Sequence, residues 1–451
     1  MHKILTTMAQ DNNTYVAAID LGTTKVVTLI GKRTTNGRLQ IVGFSSTDST
    51  GIKKGMIQNI EETVKAVEKT VREAESQAGV KIKSAFVGIA GQHIYSIKNY
   101  GYITLGSEET EIKKSHIKRL IEDMYNIPVD TGDSILHVLP LDFSIDNVKI
   151  EDDKPIGMLG RRLGANFHIV IGKTSSAKHI EKCVDRAGVK VSELILEPLA
   201  SSKAVLTDEE REAGVALIDI GGGTTDLAVY YNGIVRHTAV IPIGGSIITQ
   251  DIKEGCQILQ KHAEMLKLHH GYALMSMAPD NKIITVPGIG GREPKEISMR
   301  SLAGIIQARM EEILEYAMYE IQMSGFANKL TAGVVITGGG ALLKHIVSLI
   351  KFNWGYDVRI GYPSEMLCSE SLENYNYPQY STVIGLGLMG LEYIDAGEAS
   401  PCTTTETKIE ENKTEEFAEV QAKESKQINK RTLGMKITDV LSKLFAEDDI
   451  N

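Results

Sequence analysis

Two stretches of this chain carry residue types suited to one kind of chemistry. VAAIDLGTTKVVTLIG begins at Val16, and VALIDIGGGTTDLAVYYNG begins at Val215. Each reads as an apolar, β-branched run, an aspartate, a glycine-containing turn, two threonines and a second β-branched run. Gly22 in the first, and Gly221, Gly222 and Gly223 in the second, let the backbone turn tightly and present N–H groups to a ligand. Thr23, Thr24, Thr224 and Thr225 add hydroxyl donors, and Lys25 adds a point charge suited to phosphate. Asp20 and Asp219, at the strand ends, repel phosphate. They make sense around Mg2+ and its waters, since that ion keeps several waters and takes one or two carboxylates. A third turn, AGVVITGGGALLKHIVSLI from Ala332, sets Gly338, Gly339 and Gly340 between a strand ending at Thr337 and a helix carrying Leu342, Ile346 and Ile350. Free N–H groups at the positive end of a helix dipole suit a nucleotide's phosphate or ribose.

These turns require strands to carry them. Two hairpins with the same tip, about 200 residues apart, point to a duplicated architecture with one tip from each half. Two other glycine patterns read as structural. Gly172-Lys173-Thr174 ends like a Walker A loop, but Phe167 stands where that loop requires glycine. GLGLMG, from Gly385 to Gly390, matches GxGxxG without the following βαβ unit and acidic residue of a dinucleotide site. The chain's 451 residues exceed one ordinary core, so several domains are expected. Hydrophobic residues at 42% and charged residues at 24% fit a soluble globular protein. No apolar run reaches the roughly 18 residues that cross a bilayer, and the opening MHKILTTMAQDNN lacks a secretion signal's apolar core, so a cytoplasmic protein is expected. Cys183, Cys256, Cys368 and Cys402 are too scattered for a disulfide framework or a zinc site. A net charge of −9 argues against broad binding to nucleic acid.

The three turns, in this order, resemble the phosphate-1, phosphate-2 and adenosine motifs of the actin-like ATPase superfamily. That resemblance implies an α/β, actin-like (ribonuclease H-like) duplicated fold, with two lobes around a cleft for ATP and Mg2+. Asp20 and Asp219 would hold the ion through water and assist catalysis. LEPLASSKAVL (196–206) then resembles the first connecting helix, with Glu197 where several relatives orient the attacking water. STVIGLGLMGLEYI (381–394) resembles the second connecting helix, and AEMLK (263–267) resembles a segment that contacts adenosine through Glu264 and Lys267. A narrower resemblance, to the bacterial FtsA cell-division family, rests on SAFVGIAGQHIYSIKNYGYITL (84–105), ILHVLPLDFSID (135–146), PIGMLGRRL (155–163), VIPIGG (240–245) and VPGIGGREPKEIS (286–298). It covers about residues 15–395 and implies an inserted subdomain, 1C.

The expected organisation is a disordered 1–14, subdomain 1A at 15–83 and 166–206, and subdomain 1C at 84–165. Subdomain 2A takes 207–250 and 326–379, subdomain 2B takes 251–325, and a return helix takes 380–395. A disordered linker at 396–430 and an amphipathic helix at 431–449 complete the chain. The family resemblance implies ATP binding, polymerisation with its own kind, and tethering of FtsZ to the cytoplasmic face of the inner membrane at the division site. It also implies contacts of 1C with later division proteins, and no nucleic-acid partner. The FtsZ C-terminal peptide is expected on 2B, at Arg309 and Glu312 with Arg292 nearby. ATP is expected to act as a structural ligand and switch, with slow hydrolysis at most. The competing reading is another membrane-linked actin-like filament or assembly ATPase, of rod-shape or pilus-assembly type. A sugar kinase would need a catalytic aspartate singled out by its context, and a DnaK-type chaperone would need a further peptide-binding domain.

Near the end of the chain, MKITDVLSKLF (435–445) places Ile437, Val440, Leu441, Leu444 and Phe445 on one helical face. Lys423, Lys426, Lys430, Arg431, Lys436 and Lys443 surround that stripe, which suits anionic lipid. The acidic AEDD that follows opposes it. Half-burying five such side chains yields about 5 kcal/mol, a sub-millimolar affinity. One helix would hold poorly and a row of them along a filament would hold well.

Overall fold

The computed structural model describes residues 14–150 and 154–404. The stretches expected as a disordered N-terminus, as the linker beyond Thr404 and as a membrane-targeting helix lie outside the described residues.

The chain opens with an antiparallel hairpin of β1 (Tyr15–Leu21) and β2 (Lys25–Arg33), extended by β3 (Leu39–Asp48). Helix α1 (Ile60–Ala78) crosses the sheet, and β4 (Ser84–Ile89) joins β1 in parallel. An excursion follows through β5 (Tyr95–Thr104), α2 (Lys114–Met124), β6 (Asp133–Ile145) and β7 (Arg162–Lys173). Helix α3 (Thr174–Arg186) and β8 (Lys190–Leu196) return to the first sheet and complete the order β8-β4-β1-β2-β3. Helix α4 (Glu197–Val205) leads into the second half, where β9 (Val215–Ile220), β10 (Thr225–Tyr231) and β11 (Ile234–Ile241) form the same meander. After α5 (Gly245–Cys256), α6 (Gln260–His270) and α7 (Met299–Ser324) come β12 (Val334–Thr337), α8 (Ile346–Trp354) and β13 (Val358–Ile360). The second sheet therefore runs β11-β10-β9-β12-β13. In both sheets the central strand pairs antiparallel with the hairpin on one side and parallel with a crossover strand on the other. The duplication expected from the two tips is thus a duplication of whole sheets.

Parallel strands covered on both faces read as unbroken apolar runs, and Val16, Ala17, Ala18 and Ile19 are fully buried. Helix α1 covers one face of the first sheet, where Thr28 and Thr70 hydroxyls bond at 2.8 Å. Helix α9 (Ser381–Asp395) covers the other, packing Val383 and Leu386 into the core. The second half has its own core, built on Ile218, Leu227, Ile248, Ile306 and Ile336. The excursion forms a third body: a four-stranded antiparallel sheet with α2 on one face and Leu120, Phe143, Leu163, Phe167 and Ile169 between them.

Four expected boundaries shift. Residues 84–89 belong to the first sheet rather than to the insert, because their buried run pairs in parallel with β1. The insert in turn continues past residue 165, since β7 pairs without interruption with β5 as far as Ile171. The boundary at 250/251 falls inside α5, which begins at Gly245. Residues 396–404, expected as the start of a disordered linker, belong to the folded body. Cys402 is buried, its carbonyl accepts from Lys83 N (2.8 Å), and Thr403–Thr404 pair with Lys81–Ile82.

The rejected GxGxxG motif lies within α9 and has a packing function. A Cβ at Gly385 would collide with the carbonyl oxygen of Ala200 in α4, and one at Gly390 would strike the ring of Phe86. Glycine inside a helix costs about 1 kcal/mol relative to alanine, a cost the close α4–α9 crossing offsets. Gly385→Val is expected to destabilise the protein by about 3 kcal/mol, read as a fall of several degrees in Tm by calorimetry. An unchanged Tm would contradict the crossing.

Candidate functional site

The tips of β1–β2 and β9–β10 face each other across a cleft. A Cβ at Gly223 would occupy the position of the Thr23 side chain, and one at Gly222 that of Thr24. Glycine in the second tip is thus demanded by the threonines of the first. Gly338 has φ of 81°, and a Cβ there would collide with Asp219 Oδ1. The third turn differs from expectation in one respect. Its glycines open a short 3-10 turn, Gly339–Leu342, and the α-helix starts only at Ile346, leaving Leu342 48% exposed.

Between these turns lies a cavity of about 270 Å³. Asp20, Gly22, Thr23, Thr24, Lys25, Glu197, Asp219, Gly221, Gly222, Gly223 and Thr224 line it, with Glu264, Lys267 and Gly338, Gly339 and Gly340. Thr225 is the exception among the residues expected there. It is the first residue of β10, and strand alternation turns it to the opposite face, where its hydroxyl donates to Ile243 O (2.9 Å). The same alternation aims Asp226 into the cleft beside Thr224, whose hydroxyl donates to Asp226 Oδ2 (3.2 Å). Asp226 escaped the sequence reading, although the period-two pattern after Thr224 contained the signal.

Four carboxylates, Asp20, Glu197, Asp219 and Asp226, consequently cluster in the cleft, apart from Glu264, which pairs with Lys267. Asp219 Oδ2 accepts from Ser201 of α4 (2.5 Å) and from Thr382 of α9 (3.1 Å); neither partner had a signal in the sequence. Burial pushes Asp20 up to about 6, with Lys25 opposing and Asp219 adding to the rise. Burial likewise raises Glu197 well above its ordinary range, reinforced by Asp20, Asp226 and Asp219. It does the same to Asp226, reinforced by Asp219 and Asp20. Lys25 is pushed down to about 8 by burial, against the pull of Asp20 and Asp219. Its ammonium donates to Gln379 O (2.6 Å) and lies 4.3 Å from the centre of the Tyr380 ring. On the other wall, Lys267 donates to Gly245 O (2.9 Å) and Thr249 Oγ1 (2.8 Å) and pairs with Glu264 (2.9 Å).

The donor set fits a hard divalent cation. Asp226 Oδ1 is buried with no hydrogen-bond partner, and the neighbouring donors are carboxylate oxygens. Among the described residues no three such groups converge closely enough to clasp a bare ion. One or two carboxylates suffice for an ion that keeps several waters.

On the surface expected to receive a partner, Arg309 is already engaged. Its guanidinium holds Asp251 through Nε (2.6 Å) and Nη2 (3.1 Å), and Nη1 reaches Glu312. Arg292 is exposed in the loop joining Ile283–Val286 to Lys295–Ser298.

Two repeated sheets, opposed glycine tips and a pair of crossing connecting helices define an actin-like, two-lobed protein with an inserted subdomain. Solved structures share the fold. The PilM-PilN type IV pilus biogenesis complex matches with a TM-score of 0.59 at 14% identity, covering 83% of this chain and 98% of that one. MreB5 of Spiroplasma citri bound to AMPPNP matches with a TM-score of 0.52 at 15% identity, covering 86% and 100%. Within that class, the profile described as cell division protein FtsA matches residues 216–385, and the profile of the SHS2 domain inserted in FtsA matches residues 91–171. The cell division protein FtsA of Pseudomonas aeruginosa is 38% identical over 378 residues, covering 84% of this chain and 89% of the relative. That of Escherichia coli K12 is 35% identical over 395 residues, covering 85% and 92%. The chain belongs to the FtsA family of cell-division proteins.

Asp226 supplies a test of the electrostatics. Its folded-state value lies above the unfolded 3.8, so the folded chain keeps a proton that the unfolded chain releases. The stability this group contributes is full below 3.8 and is lost as pH rises towards the folded value. Asp226→Asn removes that loss. In chelator, the Tm advantage of Asp226→Asn over the wild type is expected to grow from about pH 4 to about pH 8. A pH-independent difference would contradict the shared burial of charge.

Proposed function

We propose that this chain is a nucleotide-regulated scaffold of cell division. It binds ATP with Mg2+ in the cleft, assembles with copies of itself, and ties the C-terminal peptide of FtsZ to the cytoplasmic face of the inner membrane at the division site. The observation that carries the nucleotide reading is the opposition of two glycine tips, one from each half, over four carboxylates and Lys25. A ligand rich in phosphate oxygen takes the tip N–H groups and Lys25. Mg2+ held through water on Asp20 and Asp219, with Asp226 beside them, offsets the charge of both carboxylates and phosphates. Glu264, Lys267 and the Gly338–Gly340 turn are assigned to the nucleoside.

Burial and the neighbouring carboxylates hold Glu197 above the ordinary carboxylate range. ATP is assigned the part of a switch that favours one arrangement of the two halves, with slow turnover at most. For the FtsZ peptide, Arg309 offers charge only in exchange for its bonds to Asp251 and Glu312, while Arg292 offers it freely at the neighbouring loop. Later division proteins are assigned to the insert. Among the described residues no helix is long and apolar enough to cross a membrane. The membrane contact is assigned to Ile437, Val440, Leu441, Leu444 and Phe445, flanked by lysines.

Two measurements check this reading. Titration calorimetry should show Mg2+-dependent ATP binding that Lys25→Ala weakens at least about ten-fold, or about 1.4 kcal/mol. Affinity should fall below about 6, where Asp20 takes a proton, and above about 8, where Lys25 loses one; bound phosphate shifts the alkaline limb upward. ATP binding that ignores both Lys25 and pH would refute the assignment. Separately, deleting residues 430–451 should abolish sedimentation with anionic liposomes while ATP affinity stays unchanged. Retained sedimentation would contradict the tail as anchor.

A further inference from the structure

The insert touches both halves of the molecule, and it holds them unequally. Its root in the first half is extensive. Strand β7 runs directly into α3, and Val170 packs fully buried against Leu196 and Leu199. His137 of β6, also buried, accepts from Leu196 N (3.0 Å), one residue before Glu197 in the cleft. Burial pushes His137 down to about 4, which keeps its ring neutral and able to accept.

The contact with the second half is narrower. Strand β11, the edge of the second sheet, lies against β5 and β6 of the insert and meets β7 through His168. His168 Nε2 and Thr238 Oγ1 share a hydrogen bond (2.8 Å), and Arg236 Nη1 donates to Leu141 O (2.5 Å). The His168 and His237 rings meet edge to face at 5.7 Å, and His237 in turn bonds Glu320 of α7 (2.9 Å). Val235 of β11, only partly buried, packs against the edge of the same cluster, Val170, Leu196 and Leu199, that forms the root. His168 Nδ1 is buried there without a hydrogen-bond partner. A buried polar atom left unpaired costs desolvation energy that water restores when the contact opens. The junction is closed yet incompletely satisfied.

We propose that the insert is a lever rooted beside Glu197 and latched to the second half through His168–Thr238 and Arg236–Leu141, and that closure of the two halves on a nucleotide releases the latch. This rests on the nucleotide reading above. Rotation about α4 and α9 displaces β11 relative to the insert's root. Of the two attachments, the polar junction gives way before the packed root does. Release frees the insert to reorient and uncovers β11, so that occupancy of the cleft is read out at a distant surface.

Hydrogen exchange by mass spectrometry on the full-length chain tests this. The proteins compared are wild type, the near-isosteric Thr238→Val combined with Arg236→Gln, and Thr238→Ser, which keeps the hydroxyl. Without nucleotide, peptides covering 234–241 in the double variant are expected to exchange at least three-fold faster than in wild type and Thr238→Ser. Peptides of the second-half core, 215–220 and 334–337, should stay unchanged, showing an intact fold. On adding Mg-ATP, wild-type peptides covering the tips should slow and those covering 234–241 should quicken, while the double variant shows the tip response alone. Equal exchange at 234–241 in double variant and wild type without nucleotide overturns the latch. So does a wild-type tip response with no change at 234–241. Absence of any tip response refutes the nucleotide reading, and with it the proposed trigger, while the nucleotide-free comparison still decides whether the latch exists.

Discussion

Carboxylates gathered where water is scarce repel one another, and this fold gathers four. Asp20 and Glu197 come from the first half, Asp219 and Asp226 from the second, and Lys25 is the cation set among them. No local interaction favours that arrangement, since at short range in a medium of low dielectric like charges cost several kcal/mol. It persists because each group stands on an element whose position is set elsewhere. Asp20 and Asp219 end strands that are buried along their length, Asp226 lies on the strand paired with β9, and Glu197 opens the helix joining the halves. The apolar cores hold the carboxylates together against that repulsion.

The remaining architecture follows from bringing two halves to one such point. Two near-identical sheets supply two tips, and two helices connect them. The helices approach so closely that Gly385 meets the backbone of α4 directly. Ser201 and Thr382, one on each connecting helix, both bond Asp219, so the cleft and the connection between the halves share atoms. Asp219 thereby ties both connecting helices to one carboxylate. The insert extends this coupling outward, since its root bonds the backbone immediately before Glu197 while its other attachment is to the opposite half.

Features that depend on neighbours in the chain were legible in the sequence. The strand–turn–strand runs at Val16 and Val215 and the three glycine turns could be placed because hydrophobic period and turn chemistry are local properties, while the two connecting helices were placed by resemblance. The structural role of GLGLMG was legible too, as a rejected nucleotide motif, though the partner that requires its glycines was not. Errors arose where a local pattern fits two partners equally well. The run 84–89 is apolar enough for either sheet, and only pairing with β1 assigns it to the first. Residues 396–404 are polar and glycine-bearing, as a linker would be, and fold because a free strand edge at Lys81–Ile82 takes them.

Within the site the division is the same. The sequence by itself determined which turns are tight, which residues carry hydroxyl, ammonium and carboxylate groups, and that two matched tips exist, because each of these is settled within a few residues. That Asp226 rather than Thr225 enters the cleft was implicit in the alternation after Thr224, and only tertiary structure decided which face of that strand meets the cleft. It alone paired Arg309 with Asp251 across 58 positions, and it alone set His168 against Thr238. Such contacts depend on the relative placement of whole sheets, which arises from packing between distant segments and has no counterpart in the order of neighbouring residues.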